Sequence, residues 1–301
     1  MKLSRTSWPV PAFPASLSGS GRPARGFSLI EIMVVIALFS LIILALLGVF
    51  NTTQGAFRAS VTQTDVQEGG RAAMDLITTD LRAMTASGGY SNAAVNFYAN
   101  PSVYYNGLYN EPLLQSLAPG NYVRTNVLED MFILTRLNQT WTGVGYVVDF
   151  TSSNYINPLY RFSMTTNVQS ADPRVLYSIF TNKVFYGDWS GMSRLMQGVV
   201  HFTVRAYGTN GQWLAYGSTN GPAQVNYPFV NWDVGGFCMY SNALPAMVEL
   251  QLGVLEDRAL RHAEGLPVLN VRSNYLSGQA GKVHLFRQEV TVPNFDSAAN
   301  Q

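Results

Sequence analysis

Residues 27–50 read FSLIEIMVVIALFSLIILALLGVF, an apolar run of 24 residues that contains one charged side chain, Glu31. As a helix rising about 1.5 Å per residue, this run is long enough to cross the hydrocarbon core of a bilayer. Every charged residue among residues 1–26 is basic. Because basic flanks stay in the cytoplasm, we expect a cytoplasmic N-terminus and place everything after residue 50 outside.

Glu31 does not fit an ordinary membrane anchor. A carboxylate in the hydrocarbon region costs a few kcal/mol unless a cation lies beside it, so the sequence predicts a positively charged partner for Glu31. A secretory signal is also a poor fit, because its apolar region is shorter and a small-x-small cleavage site follows it. No plain Ala-x-Ala site follows residues 27–50.

The segment Arg25-Gly26-Phe27-Ser28-Leu29-Ile30-Glu31, followed by the apolar run, resembles the type III signal of type IV prepilins and pseudopilins. The resemblance implies that a membrane-embedded prepilin peptidase cuts after Gly26 and methylates the new amino terminus at Phe27. It also implies that Glu31, the fifth residue of the mature chain, meets the terminal amine of a neighbouring subunit during assembly. The chain departs from the family in its long leader and in Gly48, where many pilins carry proline.

Residues 51–86 contain no proline and place apolar side chains near helical spacing, which predicts an amphipathic stem helix that continues the membrane span. The pair Gly69-Gly70 predicts a bend or break in that helix. Ser87 and the two glycines after it predict its end. We therefore divide the chain into a leader at 1–26, a transmembrane helix at 27–50, a stem at 51–86 and a β-rich head at 87–301.

The head contains short apolar runs separated by Asn, Gly, Ser and Pro, the pattern of an antiparallel sheet. In one run, Val200, Phe202, Val204 and Ala206 alternate with polar side chains, which predicts one packed face. The stem supplies a helix for that face, so the predicted fold is α+β and pilin-like, with a long N-terminal helix on an antiparallel sheet. The predicted strands are Met131–Leu137, Val144–Phe150, Val175–Phe180, Val199–Tyr207, Met247–Val254 and Val283–Val292.

Nothing in the sequence predicts catalysis, a cofactor or a metal. The three histidines, His201, His262 and His284, lack the short spacing of a metal motif, and no phosphate-binding loop or nucleophile elbow occurs. A net charge of +1 gives no bulk attraction for nucleic acid. The single cysteine, Cys238, is interpreted as a buried apolar residue, since it has no partner for an internal disulfide.

Three acidic residues at Glu256, Asp257 and Glu264 were weighed as a calcium cluster. Their spacing does not match a known calcium loop, and a solvated charged turn explains them better.

The size of the head favours a minor subunit, and four segments resemble J-type minor pseudopilins of type II secretion. These are residues 75–82, 199–213, 244–250 and 285–294. The resemblance implies a non-enzymatic subunit of a periplasmic pseudopilus, in a tip complex that primes assembly. Its expected location is the bacterial inner membrane, as a single-pass protein with a periplasmic head.

The expected partners are a prepilin peptidase, other major and minor pseudopilins or pilins, an inner-membrane assembly platform and the membrane, but no nucleic acid. Two alternatives remain at this stage. One is a minor pilin of a type IV pilus, and the other is a binding head tethered by a prepilin-type anchor.

Overall fold

The structure is a computed structural model. It falls into two compact units, Met1–Ala56 and Phe57–Gln301, each considered by itself here. The expected leader lies outside the described residues apart from Gly26. The described residues are 26–88, 94–101, 113–117, 122–149, 155–167, 172–214, 230–231 and 237–294.

The first helix, α1, runs without interruption from Leu29 to Arg82. It contains the apolar run of the first unit, and its C-terminal part belongs to the second unit. The break predicted at Gly69-Gly70 is wrong, because the helix continues through both residues. Gly70 has another role: a Cβ atom at this position would lie 2.2 Å from Cε2 of Phe286, so only glycine admits that ring.

The second unit is built from eleven described strands and three further helices in this order. They are β1 Val95–Pro101, β2 Leu113–Leu117, β3 Tyr122–Asn126, β4 Glu129–Leu137, β5 Thr140–Val148, β6 Asn157–Asn167, α2 Arg174–Tyr186, β7 Ser193–Tyr207, β8 Val230–Asn231, β9 Phe237–Tyr240, β10 Met247–Leu255, α3 Asp257–Glu264, α4 Leu269–Ser277 and β11 Val283–Thr291. Nine strands form one antiparallel sheet in the order β11-β10-β7-β6-β5-β4-β1-β9-β8, and β2 pairs with β3 in a separate hairpin.

The core lies on both faces of the curled sheet. On one face, Met74, Ile77 and Leu81 of α1 pack against apolar side chains from β4, β5, β7, β10 and β11. On the other face, α2 covers β4, β5 and β6, while α3 and α4 cover a third cluster around Val200 and Leu255. The α+β architecture with a long N-terminal helix and an antiparallel sheet is thus confirmed.

Three of the six predicted strands, Met131–Leu137, Val199–Tyr207 and Met247–Val254, are confirmed within β4, β7 and β10. Two more, Val144–Phe150 and Val283–Val292, are confirmed as far as Val148 and Thr291, where β5 and β11 end, and Phe150 lies outside the described residues. The sixth, Val175–Phe180, is wrong, because these residues lie in α2. The buried side chains of α2 are Leu176, Phe180 and Val184, which recur every four residues and so lie along one helix face. Short apolar runs do not distinguish a buried helix from a strand by periodicity alone.

The alternation predicted for β7 holds for Phe202, Val204 and Ala206, which pack together against α1. It is wrong for Val200. The pairing of β7 with β10 shifts by one residue at this point, as in a β-bulge. As a result Val199 joins the cluster under α1, whereas Val200 packs on the opposite face with α3 and α4.

Candidate functional site

The candidate processing segment lies just before α1. Gly26, Phe27 and Ser28 are not helical, and α1 begins at Leu29. The backbone N–H of Glu31 lies 3.0 Å from the carbonyl oxygen of Ser28 and 3.3 Å from its hydroxyl oxygen. Ser28 therefore caps the helix, with Glu31 three residues later, in the order of a capping box. The peptide bond between Gly26 and Phe27 is left outside the helical hydrogen bonds.

Glu31 occupies the first turn of α1. A carboxylate at a helix N-terminus interacts favourably with the helix dipole, by about 0.3–1 kcal/mol at an exposed site. Glu31 is exposed, so its carboxylate is accessible to a cation from another chain. The structure places Gly26, Phe27 and Glu31 within one short segment, as their sequence positions require.

The apolar side chains of residues 27–50 are exposed throughout, with Phe27 at 77%. Among the described residues, α1 is the one helix that is long and apolar enough to cross a membrane. An apolar surface of this length needs lipid or other helices to cover it. Both features fit a membrane-anchored protein.

A half-buried ion pair connects the C-terminal part of α1 to the sheet. Nε of Arg161 on β6 lies 2.9 Å from Oδ2 of Asp80, and Nη2 lies 3.1 Å from Oδ1. The hydroxyl of Tyr146 on β5 also donates to Asp80. Burial lowers the pKa of Arg161, but the bonds to Asp80 and Tyr146 outweigh that effect and raise it overall. This three-residue cluster fixes the rotation of α1 on the sheet.

Two successive residues at the start of β4 carry carboxyl groups, the half-buried Glu129 and the buried Asp130. Oε2 of Glu129 accepts a hydrogen bond of 2.6 Å from the backbone N–H of Val204. Val204 lies in the part of β7 that no longer pairs with β6. Burial raises the pKa of Glu129 to about 7, against the lowering effect of that bond and of Arg205. Burial raises the pKa of Asp130 to about 8, and the neighbouring Glu129 adds to the increase. Neither residue is predicted as a buried group from the sequence, because acidic side chains are usually exposed to solvent.

Another buried carboxylate, Glu249 on β10, lies on the sheet face opposite α1. Its side chain accepts hydrogen bonds from the hydroxyl of Tyr207 at 2.7 Å and from Nε2 of Gln251 at 2.7 Å. Nε of Arg287 on β11 lies 3.0 Å from its Oε1. Burial raises the pKa of Glu249, but its hydrogen bonds and the nearby arginines lower it by more, so the carboxylate stays charged. The predicted strand alternation did not reveal this cluster, which forms across three strands.

The histidines lie on separate elements of the described structure. Nδ1 of His201 accepts a bond of 3.1 Å from the backbone N–H of Val127, and burial lowers the pKa of His201 to about 4. The centroid of the His262 ring lies 4.5 Å from that of Tyr275, with the rings tilted by 50°, and Nε2 of His284 lies 3.3 Å from Oε1 of Glu256. Within the described residues, no group of three His, Cys, Asp or Glu side chains is arranged to hold a metal ion.

The three acidic residues weighed as a calcium cluster have separate partners. Glu256 pairs with Lys282, Asp257 pairs with Arg261, and Glu264 accepts a bond from Gln197. Cys238 is buried and reduced, at 3.9 Å from the hydroxyl of Tyr177.

Comparison with known families gives one match. Residues 21–47 match the family model described as the prokaryotic N-terminal methylation motif. No curated protein and no solved structure matches the chain significantly. The motif, followed by a long apolar helix and an α+β fold, indicates a type IV pilin-like protein. The motif implies processing by a prepilin peptidase and assembly with other pilins.

Proposed function

We propose that this chain is a minor pseudopilin, a structural subunit of the periplasmic pseudopilus of a type II secretion system. The observation that carries the proposal is the methylation motif at residues 21–47, placed directly at the start of an exposed apolar helix. In this proposal, prepilin peptidase cuts between Gly26 and Phe27 and methylates the amine of Phe27. The mature helix then packs with other subunits as an inner-membrane platform adds them to the filament.

Glu31 is the proposed assembly residue. After cleavage it stands in the first turn of α1, where an unpaired carboxylate would face hydrocarbon. The terminal amine of a neighbouring subunit supplies the missing cation, and the resulting pair fixes the axial register of the two helices. A subunit without this carboxylate has no such register, although its processing site is intact.

The size of the head supports a minor role. The second unit contains a nine-stranded sheet, the β2–β3 hairpin and three helices besides α1. The four segments that resemble J-type subunits support the proposal of a position in the tip complex that primes assembly. Its location in this proposal is the inner membrane, with the N-terminus in the cytoplasm and the head in the periplasm.

A test of assembly uses the variant Glu31→Leu in cells that make the other filament subunits. We expect this variant to be processed normally and to be at least about tenfold depleted from sheared filaments, because the register-setting pair is lost. Glu68→Gln is the matched control, since Glu68 is an exposed acidic residue of the same helix. Incorporation of Glu31→Leu at the wild-type level would contradict the proposed role.

The minor-subunit role is tested by the ratio of this chain to the major subunit in purified filaments. The proposal predicts a small, fixed number of copies per filament, located at the tip by gold labelling. Labelling along the whole filament would exclude a tip complex. Restoration of protein secretion in a deletion strain separates a secretion machine from a type IV pilus, whose loss affects surface fibres instead.

A further inference from the structure

Strand β11 forms one edge of the nine-stranded sheet in the described part of the chain. It pairs with β10 over nine consecutive residue pairs, from Met247↔Thr291 to Leu255↔Val283, without a register shift. It is the terminal strand in the sheet order. The opposite edge is β8, which is two residues long.

The hydrogen bonds at the two ends of β11 determine which of its backbone groups point towards β10 and which point away from it. The N–H of Glu256 donates to the carbonyl of Lys282 at 2.9 Å, and the N–H of Val292 donates to the carbonyl of Ala246 at 3.0 Å. In an antiparallel pair the bonded positions recur every second residue, so even-numbered residues of β11 face β10. The residues that turn their N–H and C=O groups outward are Val283, Leu285, Arg287, Glu289 and Thr291. The N–H of Val283 donates to the carbonyl of Ala280. In the described part of the chain, the outward groups of the other four residues have no backbone partner.

Natural sheets protect their edges with short strands, proline, bulges or charged side chains. Strand β11 is nine residues long and contains no proline. Its one basic side chain, Arg287, is compensated, since its Nε lies 3.0 Å from Glu249 and its Nη2 lies 3.5 Å from Glu289. The outward N–H and C=O groups of β11 can therefore pair with one additional strand.

We propose that the outer edge of β11 binds an extended segment of a neighbouring filament subunit, which joins the sheet as an additional strand. This inference depends on the proposed function, since it needs a filament. The ring of Phe286 packs on Gly70 of α1, so this edge lies against the stem by which subunits pack in that proposal. A neighbour that packs beside the stem brings its own chain close to β11.

The side chains of β11 define the chemistry of the occupant. On the face away from α1, the strand presents Leu285, which is 48% exposed, then Arg287 and Glu289. A matching strand carries an apolar residue opposite Leu285 and uncharged polar residues opposite Arg287 and Glu289, which already pair with each other. Two copies that paired through β11 about a two-fold axis would form a closed dimer. A growing filament instead needs a contact between two different surfaces of its subunits. The occupant is therefore a different segment of a neighbouring subunit.

Hydrogen exchange at single amides tests this pairing on the full-length protein, purified in detergent and in assembled filaments. We expect the amides of 285, 287 and 289 to exchange quickly in detergent and at least about tenfold more slowly in filaments. The amides of 286, 288 and 290 are the internal control, because β10 already holds them in both states. Fast exchange at the odd-numbered amides in filaments would overturn the inference. Protection that appears with rising concentration of the purified protein alone would overturn it too, by identifying a second copy as the occupant.

A backbone variant gives an independent readout. Arg287→Pro removes one outward N–H and no bond to β10, and proline is tolerated at such edge positions. We expect it to be processed like the wild type, to keep its melting temperature within a few degrees, and to lose incorporation at least about tenfold. Arg287→Ala controls for the lost side chain and should incorporate within about threefold of the wild type.

Equal incorporation of Arg287→Pro and Arg287→Ala would contradict the inference. If Arg287→Pro does not fold, the exchange measurement decides alone. Failure of the wild-type chain to be processed or incorporated would instead count against the proposed function, and the inference would fall with it.

Discussion

Asp130 is a carboxyl group whose burial opposes folding as the pH rises. Its pKa is raised from 3.8 to about 8, so the stability that the neutral form provides is complete below about pH 4 and is lost as the pH approaches 8. Glu129 acts in the same direction, with its pKa raised from 4.5 to about 7. These two groups therefore make the head more stable in mildly acidic than in mildly basic solution.

Asp130→Asn removes the larger of these two effects. We expect the variant to gain stability over the wild type as the pH rises from 5 to 8, by on the order of 1–2 kcal/mol, because the amide has no charge to desolvate. Equilibrium urea unfolding in detergent at both pH values measures this difference. The control is Asp75→Asn, at an exposed position of α1, which should leave the pH dependence unchanged. A parallel pH dependence for wild type and Asp130→Asn would contradict the assignment.

At this scale, the processing and assembly residues are predictions that rest on a local motif, whereas the sequence did not predict the buried carboxylates, which depend on tertiary contacts. Gly26, Phe27 and Glu31 belong to one contiguous motif, whose signal is complete within seven residues. Asp130 and Glu249 look like surface carboxylates in the sequence. Their burial results from strands distant in the chain, so neither spacing nor alternation identifies them.

At the scale of elements, the contact between α1 and β11 is made by Gly70 and the ring of Phe286. Gly70→Ala places a methyl group against that ring, which should cost about 1–3 kcal/mol through overpacking. Gly69→Ala is the matched control, because open space surrounds that position and alanine favours the helix by up to about 1 kcal/mol. The two variants should therefore change the free energy of unfolding in opposite directions.

A double-mutant cycle checks the cause of the Gly70 effect. If the Phe286 ring is the obstacle, Phe286→Ala should remove most of the cost of Gly70→Ala, so the two changes are not additive. An additive result would mean that the methyl group is tolerated by Phe286 and that the cost arises elsewhere.

The ion pair between α1 and β6 gives a second prediction for this scale. Asp80 and Arg161 have side chains that are 15% and 22% exposed, so Asp80→Ala leaves a half-buried guanidinium without its carboxylate. We expect a loss of about 2–3 kcal/mol in the free energy of unfolding, a value below that for a fully buried pair. Thermal or urea unfolding measures the loss, and Asp75→Ala on the exposed face of α1 serves as the control. A change within 0.5 kcal/mol, roughly the range of surface substitutions, would show that the pair is not an anchor.

The sequence predicts helices and strands correctly where the apolar residues repeat with a single helical or strand period. The apolar stem and the five confirmed strands have such a period. Residues 175–180 were assigned to a strand because six apolar and small residues fit either element, and the helical burial of Leu176 and Phe180 depends on the sheet beneath them. The sheet order itself depends on long-range pairing, such as that of β1 with β9, which no local pattern encodes.

At the scale of the whole molecule, the two units differ in how far their apolar side chains are buried. The first unit contains an exposed apolar helix with one carboxylate in its first turn. The second unit contains its own core on both faces of the sheet. The class of protein was predictable from the N-terminal segment alone, whereas the free edge of β11 became visible only in the folded sheet.

The central claim is that this chain enters a filament after processing at its N-terminus. The most direct test is the intact mass and N-terminal sequence of the protein, produced with and without a prepilin peptidase, for the wild type, Gly26→Val and the leader control Gly21→Ala. We predict a peptidase-dependent product that begins at methylated Phe27, present in the wild type and Gly21→Ala and lost in Gly26→Val. An N-terminus that is uncut, or cut elsewhere, in the presence of the peptidase would contradict the account and leave a head on an ordinary membrane anchor.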